Sequence, residues 1–333
     1  MRKKSQEKLY LGVDVGGTKI LAALVRPCGT IVARERCDTP SKAAPRESLK
    51  AILAAMKGAL AAGGADQGDL AAIGLAIPGV VDPDRGRVVV TPNMNLTGMA
   101  IRAAIRRSYG VPVAVGNDVN LGTLGEKWLG AARGAASVVG IFVGTGIGGG
   151  VIVDGRLVRG AREAAGEIGH IVMLPGGPRC GCGNRGCLEA LASRSAIERE
   201  LRKAIAAGRR TVLRKLVPKG TGTIRSKALR RALNAKDRLV CDVMRRAAEF
   251  LGYACLTVRH VVDPDVIVLG GGVMEACGDF VLPIVQRIVA SDALPGARRG
   301  GEIVQSKLGD DAVALGAVAI ARQLIGQSPF STG

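Results

Sequence analysis

The sequence predicts an α/β protein built from two similar halves, and three observations carry that expectation. The composition is 47% hydrophobic with 48 glycines and only 2% aromatic residues, an Ala/Val/Ile/Leu/Gly-rich balance that suits α/β layers joined by tight turns. Short apolar runs of strand length alternate with helical stretches along much of the chain. A strand–glycine turn–strand unit occurs near the start of each half, around Asp14 and around Gly144. At 333 residues there is room for two domains with ample core.

In chain order, Leu9 to Val15 is a β-rich run that breaks at Gly16-Gly17-Thr18-Lys19, and the apolar run Ile20 to Val25 follows directly. Strand, glycine turn, strand makes a hairpin; a P-loop or a Rossmann turn would lead into a helix. The exposed N–H groups of such a turn can cradle phosphate oxygens, although an ordinary hairpin turn explains the pattern equally well. A third strand is expected near Ile31 to Glu35, a helix over Arg46 to Ala62, and a buried strand over Ala71 to Ile77 that ends at Pro78-Gly79. Thr91 to Asn95 reads as a loop, Met99 to Tyr109 as a helix and Val111 to Val115 as a strand. That strand hands over to a helix at Asn117-Asp118, the position where open α/β sheets place ligand-contacting groups. Either residue could instead simply cap the helix.

Val138 to Val143, the turn Gly144-Thr145-Gly146-Ile147-Gly148-Gly149-Gly150 and Val151 to Val153 repeat the first hairpin. Gly144, Gly146 and Gly149 satisfy G-x-G-x-x-G, but a strand follows, so dinucleotide binding is rejected. The repetition suggests a duplicated architecture that clamps a phosphate between its halves. Val266 to Leu269 is read as the last strand, ending in Gly270-Gly271-Gly272, and Asp310 to Leu324 as a small-residue amphipathic helix.

Between these elements lies E-I-G-H-I-V-M-L-P-G-G-P-R-C-G-C-G-N-R-G-C-L-E, Glu167 to Glu189. His170, Cys180, Cys182 and Cys187 make a closed N/S ligand set for a structural zinc ion. A disulfide is the alternative, but Cys180 and Cys182 are too close in sequence to bridge easily; unmetallated buried thiols are another. A closed zinc site performs no chemistry itself and would act as a staple. It would orient Glu167, Glu189 and the outer edge of His170 towards a polyhydroxylated ligand.

The net charge of +19 raises the question of nucleic acid. Scarce aromatics argue against base stacking, and no zinc-finger or basic-zipper pattern is present. Arg209, Arg210, Arg214, Lys215, Lys219, Arg225, Lys227, Arg230 and Arg231 concentrate the charge between Arg199 and Arg238, which reads as a solvated face. No apolar run of bilayer length and no signal peptide are seen, and the scattered cysteines read as reduced thiols. A cytoplasmic protein without nucleic-acid or membrane partners is expected.

Taken together, D-x-G-G-T-K at Asp14 to Lys19, N-D at Asn117-Asp118, G-T-G-x-G-G-G at Gly144 to Gly150, E-x-G-H at Glu167 to His170, C-x-C-G-x-x-G-C-x-E at Cys180 to Glu189 and G-G-G at Gly270 to Gly272 resemble the ROK family of sugar kinases and repressors, within the actin/hexokinase-like ATPase superfamily. The resemblance runs from Leu9 to about Ile325. It implies two RNase-H-like α/β domains with ATP and sugar in a cleft between them: residues 1–118 completed by the C-terminal helix 310–325, and residues 119–309 carrying the knuckle 167–189. It implies Asp118 as the general base. Asn117, Asp118, Glu167, His170 and Glu189 match sugar-binding positions. Gly16, Gly17, Thr18, Lys19, Gly144, Thr145, Gly146, Gly148 and Gly149 match phosphate loops, Gly270, Gly271 and Gly272 an adenosine pocket, and Asp14 a position near the metal of Mg²⁺-ATP.

The expected reaction is ATP-dependent phosphorylation of the 6-hydroxyl of a hexose, with glucose favoured. The N-acetylglucosamine, N-acetylmannosamine and fructose kinases of the family share these motifs, and specificity is expected in loops such as Ile77 to Gly79 and Thr91 to Thr97. A sugar-responsive repressor is the competing class; such repressors carry a helix-turn-helix domain ahead of the first strand, where this sequence has about eight residues. Polyphosphate is the alternative donor, and the family implies a homodimer or homotetramer.

Overall fold

A computed structural model describes residues 7–40, 43–91, 94–217, 222–294 and 301–330. Lys219 of the basic segment, Pro92 and Asn93 of the expected specificity loop, and the first six residues lie outside that set. The chain divides into two compact units: residues 1–134, 159–165 and 310–333, and residues 135–158 and 166–309.

In the first unit, β1 (Leu9–Val15) and β2 (Lys19–Val25) form the predicted hairpin, paired from Tyr10–Val25 to Val15–Ile20. β3 (Ile31–Asp38) runs antiparallel at the sheet edge, its burial alternating residue by residue as a half-covered strand requires. Its outward Arg34 and Arg36 pair with Asp311 and Asp310, charges that also blunt the free edge. Helix α1 (Pro45–Ala62) leads to β4 (Leu70–Ile77), which lies parallel to β1. A small hairpin, β5 (Val80–Asp82) with β6 (Arg87–Val90), then precedes α2 (Ile101–Tyr109). β7 (Val113–Asn117) adds a second parallel strand and gives way at once to α3 (Asp118–Leu129). The sheet order is β3-β2-β1-β4-β7.

The second unit repeats the plan. β8 (Val138–Val143) and β9 (Ile147–Val153) form the second glycine hairpin, with the short β10 (Arg156–Leu157) at the edge. The knuckle follows, then α4 (Leu188–Ala192), α5 (Arg194–Ala206), α6 (Leu213–Leu216), α7 (Ser226–Asn234) and the long α8 (Arg238–Val262). β11 (Val266–Gly270) pairs parallel with β8 and hands over to α9 (Gly272–Ala290). The order β10-β9-β8-β11-β12 is completed by β12 (Glu302–Gln305), parallel to β11. Three antiparallel strands followed by two parallel ones in each sheet is the RNase-H-like arrangement expected of both halves.

Three expectations are corrected. Val266 to Leu269 is not the last strand: E-I-V-Q is too short and too polar at its ends to stand out, and β12 exists because β11 offers it an open edge. The C-terminal helix, Ala312–Leu324, is buried around most of its circumference and not along one stripe. It lies on β1 and β4 and against α3, and glycines let the backbones meet. A Cβ at Gly74 would fall 1.8 Å from the Ala317 carbonyl oxygen, and one at Gly316 would fall 1.7 Å from that of Leu121. Because α3 packs on this helix, the first unit runs to Gly134 and not to 118, and it also takes in residues 159–165. Arg159 holds that segment through ion pairs to Asp84 and Glu163.

Candidate functional site

In the first unit the parallel strands deliver their carboxyl ends to one row, with Asp14 opposite Ala76 and Ile77 opposite Asn117. Asn117 caps α3 by accepting the Asn120 N–H at 3.0 Å, so the capping role weighed for it is real. Its carboxamide nitrogen donates to Gly79 O and to Asp118 Oδ1, both at 3.0 Å. Asp118 Oδ1 also accepts the Val119 N–H at 3.0 Å. The carboxylate is thereby oriented by its neighbours and tied, through Asn117, to the Pro78-Gly79 turn. Burial, together with the negative charges of Asp118 and Asp310, pushes the carboxyl of Asp14 up to about 7, with Arg36 opposing. Carboxylates gathered in this way, with Arg36 paired to Asp310 at 2.9 Å, suit a divalent cation.

The turn of the first hairpin is closed by Gly16 N–H to Lys19 O at 2.9 Å. Thr39 pins it, its hydroxyl donating to Gly16 O at 2.7 Å and its N–H to Thr18 O at 2.9 Å. The N–H groups of Gly17 and Thr18 have no hydrogen-bond partner among the described residues. The second hairpin matches it: Gly144 N–H donates to Gly146 O at 2.9 Å, and the N–H groups of Thr145 and Gly146 are left over among the described residues. Each turn therefore presents two adjacent backbone donors, the minimal nest for an anion. Gly270 ends β11, Gly271 takes φ +84° and Gly272 opens α9. A Cβ on Gly271 would fall 2.7 Å from Val143 O, so this glycine cluster lies against the strand that feeds the second hairpin.

The knuckle is assembled by tight backbone turns. Cys180 N–H donates to Asn184 O at 2.8 Å and Gly183 N–H to Cys180 O at 3.0 Å. Gly186, at φ +76°, passes so close to Leu174 that a Cβ would fall 1.7 Å from its carbonyl oxygen. One ligand atom each from His170, Cys180, Cys182 and Cys187 lies within 4.8 Å of every other. Cys180 Sγ stands 3.6 Å from His170 Nδ1, and Cys182 Sγ stands 3.8 Å from Cys187 Sγ. A tetrahedral zinc ion would space sulfur from nitrogen by about 3.6 Å and sulfur from sulfur by about 3.8 Å, from bonds of ~2.0–2.1 and ~2.3 Å. The donor set fits, and a disulfide, with its sulfurs about 2.05 Å apart, does not. Burial pushes the Cys180 thiol up to about 12 and raises Cys187, whereas the Asn184 backbone lowers Cys182.

The knuckle, the E-x-G-H turn and the second hairpin meet at Ile147. Its N–H donates to Glu189 Oε2 at 3.0 Å. A Cβ on Gly169 would fall 2.0 Å from its carbonyl oxygen, so only glycine fits there in E-x-G-H. Glu189 Oε1 lies 3.6 Å from Cys180 Sγ. His170 turns Nδ1 to the thiols and Nε2 towards Glu167, 3.9 Å from Oε2.

Within the first unit, then, Asp14, Asn117 and Asp118 converge on the strand ends that follow the first glycine turn. Within the second, Glu167, His170 and Glu189 surround the knuckle beside the second turn. Two residues are not singled out by the sequence. Asp310 acts on Asp14, and its signal is the G-D-D run before the last helix. Arg194 donates to Thr145 Oγ1 at 2.9 Å, and nothing in its local sequence marks it. In the basic segment Arg209, Arg210, Arg214, Lys215, Arg225, Lys227, Arg230 and Arg231 are all exposed. Among the described residues no helix is long and apolar enough to cross a membrane.

The profile of the ROK family matches residues 10–324. A glucokinase from Halalkalibacterium halodurans is 33% identical over 318 residues, covering 95% of this chain and 96% of its own. A ROK family glucokinase from Streptomyces griseus, crystallised with glucose and AMPPNP, superposes with a TM-score of 0.81 at 33% identity over 95% of this chain and 99% of that one. A ROK family transcriptional regulator, a homologue of the Escherichia coli MLC protein, superposes with a TM-score of 0.83 at 27% identity, over 96% of this chain and 78% of that chain.

Proposed function

The chain belongs to the ROK family, and on that premise we propose that it is an ATP-dependent hexokinase that transfers the γ-phosphoryl group to the 6-hydroxyl of glucose. The observation that carries the reading is Asp118, held at the end of β7 by Asn117 and Val119 beside a carboxylate, Asp14, that resists ionisation. Glucose as the acceptor is supported by the glucokinase relatives, which match over nearly their whole length.

Phosphoryl transfer asks the protein for alignment and charge neutralisation more than for covalent chemistry. In the first unit the leftover N–H groups of Gly17 and Thr18, with Lys19, and in the second those of Thr145 and Gly146, would each take phosphate oxygens. A Cβ at Gly149, Gly270 or Gly271 would strike the protein's own atoms, 2.4 Å from Gly166 O, 2.7 Å from Phe142 Cδ1 and 2.7 Å from Val143 O, so these glycines let the turns that would carry phosphates and adenosine pack closely. Asp118 would accept the hydroxyl proton as the P–O bond forms. Asp14 would hold Mg²⁺, which when bound supplies the charge that the phosphates require. His170 and the three thiolates would hold zinc as a structural ion. Ligation through Nδ1 leaves the His170 proton on Nε2, a fixed donor for a sugar hydroxyl. A thiolate at Cys180 no longer donates to Glu189 Oε1, so that oxygen, with Glu167, is available to accept hydroxyls.

A sugar-responsive regulator is the second reading, favoured by the structural likeness to the MLC homologue. The deciding test is ADP release from Mg²⁺-ATP with glucose, N-acetylglucosamine, N-acetylmannosamine, mannose and fructose. Glucose should lead by kcat/KM. Asp118→Ala should lower kcat by at least ~10²–10⁴-fold, the worth of a general base, while calorimetry still detects glucose binding. Silence across the panel would refute the ATP-hexose reading and turn attention to polyphosphate as donor, then to sugar binding without turnover.

A further inference from the structure

Arg194 is the first residue of α5, and its side chain is only 18% exposed. Ser193 caps the helix by accepting the Ala196 N–H at 3.1 Å, which sets the direction in which Arg194 leaves the backbone. Its own N–H donates to Gly144 O at 3.0 Å, and the guanidinium Nη2 donates to Thr145 Oγ1 at 2.9 Å. Nη1 lies 3.3 Å from Glu198 Oε2. Glu198 does not cancel the charge, because Oε1 also receives Arg202 at 2.8 Å and the Ile224 N–H at 3.2 Å. One carboxylate is shared by two guanidinium groups, so Arg194 is only partly neutralised by Glu198; the other carboxylate at the hairpin, Glu189, is engaged by the Ile147 N–H.

A hydroxyl has one proton. With Thr145 Oγ1 accepting from Arg194, that proton must point elsewhere, and the guanidinium polarises it. The adjacent N–H groups of Thr145 and Gly146 are the donors left without partners among the described residues. Three donors on one turn, backed by a part-buried cation, suit a phosphate group better than a sugar hydroxyl. We propose that Arg194 is a positioning residue for the phosphoryl donor, aiming the Thr145 hydroxyl at a phosphate oxygen and supplying charge behind it. The proposal deepens the kinase reading and rests on it for the identity of the donor. The bland alternative is that Arg194 only fastens α5 to the hairpin.

Arg194→Met keeps the bulk and removes the charge, whereas Arg194→Lys keeps the charge and loses the two-pronged fork. Two measurements separate the roles: KM for ATP against KM for glucose, and calorimetric binding of inorganic tripolyphosphate at rising ionic strength. Arg194→Met should raise both the ATP KM and the tripolyphosphate Kd by about 10–100-fold, the loss of one charge-assisted hydrogen bond. It should leave the glucose KM within about twofold and flatten the salt dependence. Arg194→Lys should recover part of the effect, and Thr145→Val should add little in the Met background because the two act as one unit. Unchanged tripolyphosphate binding in a folded Arg194→Met protein would overturn the proposal, as would ATP and glucose KM values that rise together. If the wild type phosphorylates no sugar yet binds tripolyphosphate in an Arg194-dependent way, the kinase reading falls and the anion site stands. Normal turnover and ATP affinity in Arg194→Met would sink the proposal alone.

Discussion

Asp14→Asn should make the metal-free protein more stable at alkaline pH while destroying its proposed use of Mg²⁺-ATP. In the fold, burial and the charges of Asp118 and Asp310 move the Asp14 carboxyl from 3.8 to about 7. A carboxylic acid raised by folding binds its proton more tightly in the native state than in the unfolded chain. Its contribution is therefore favourable below pH ~4, is withdrawn as pH rises towards 7, and stays lost above that. The native state holds this proton roughly a thousandfold more tightly, and each tenfold is worth ~1.36 kcal/mol, so the full cost is about 4 kcal/mol. Asparagine keeps the shape and never ionises. Urea midpoints measured from pH 5 to 8.5 without divalent metal should show the variant gaining on the wild type as pH rises. The advantage should be about 2 kcal/mol near pH 5 and about 4 near pH 8. Mg²⁺ with ADP should stabilise the wild type and do little for the variant. A variant no more stable than the wild type at pH 8 would refute the argument that Asp14 is held in an electrostatically costly state.

Cys182→Ser removes one ligand from the knuckle: metal analysis should show zinc lost, and the glucose KM should rise because His170 and Glu189 lose their anchor. Full glucose affinity in a zinc-free variant would count against the staple role. Gly74→Ala places a methyl 1.8 Å from the Ala317 carbonyl oxygen, so the C-terminal helix must shift, at a cost of about 1–3 kcal/mol in a urea titration. No change in midpoint would mean that this helix is more loosely seated than its glycine contacts imply.

Much of this is legible in the chain alone. The two hairpins announce themselves because glycine runs between β-rich segments have few other uses, and the handover at Asn117-Asp118 because a strand giving way to a helix is a local pattern. The cysteine spacing, with His170 of the E-x-G-H turn, marks the four candidate ligands of the knuckle. What stays hidden depends on distant parts of the chain. Arg194 sits in an Arg/Glu-rich stretch whose i,i+4 pairing with Glu198 looks like any solvated helix, and only the fold lays that helix start on Thr145. Asp310 lies far in sequence from the Asp14 it perturbs. β12 is a strand because β11 has a free edge, not because E-I-V-Q demands it. The burial of Ala312–Leu324 is invisible in a run of alanines, since small residues report close packing and solvent tolerance alike. Asn117 reads in the sequence as a sugar contact or a cap; the structure uses its side chain as the cap and as the link between Asp118 and Gly79.

The helix 312–324 also has a consequence for the order in which the protein is made. Its backbone covers β1 and β4, whose glycines Gly12 and Gly74 accept nothing larger. Those strands leave the ribosome more than about 230 residues before their cover does. At about 5–20 residues per second, the first unit waits roughly 10–40 s for its final piece. The second unit is complete before then and can fold first, against the usual N-to-C sequence. During that interval the bare face of β1 and β4 is the part of the nascent chain most in need of a chaperone, and truncation of the helix from Ala312 onwards should cripple the first unit while sparing the second.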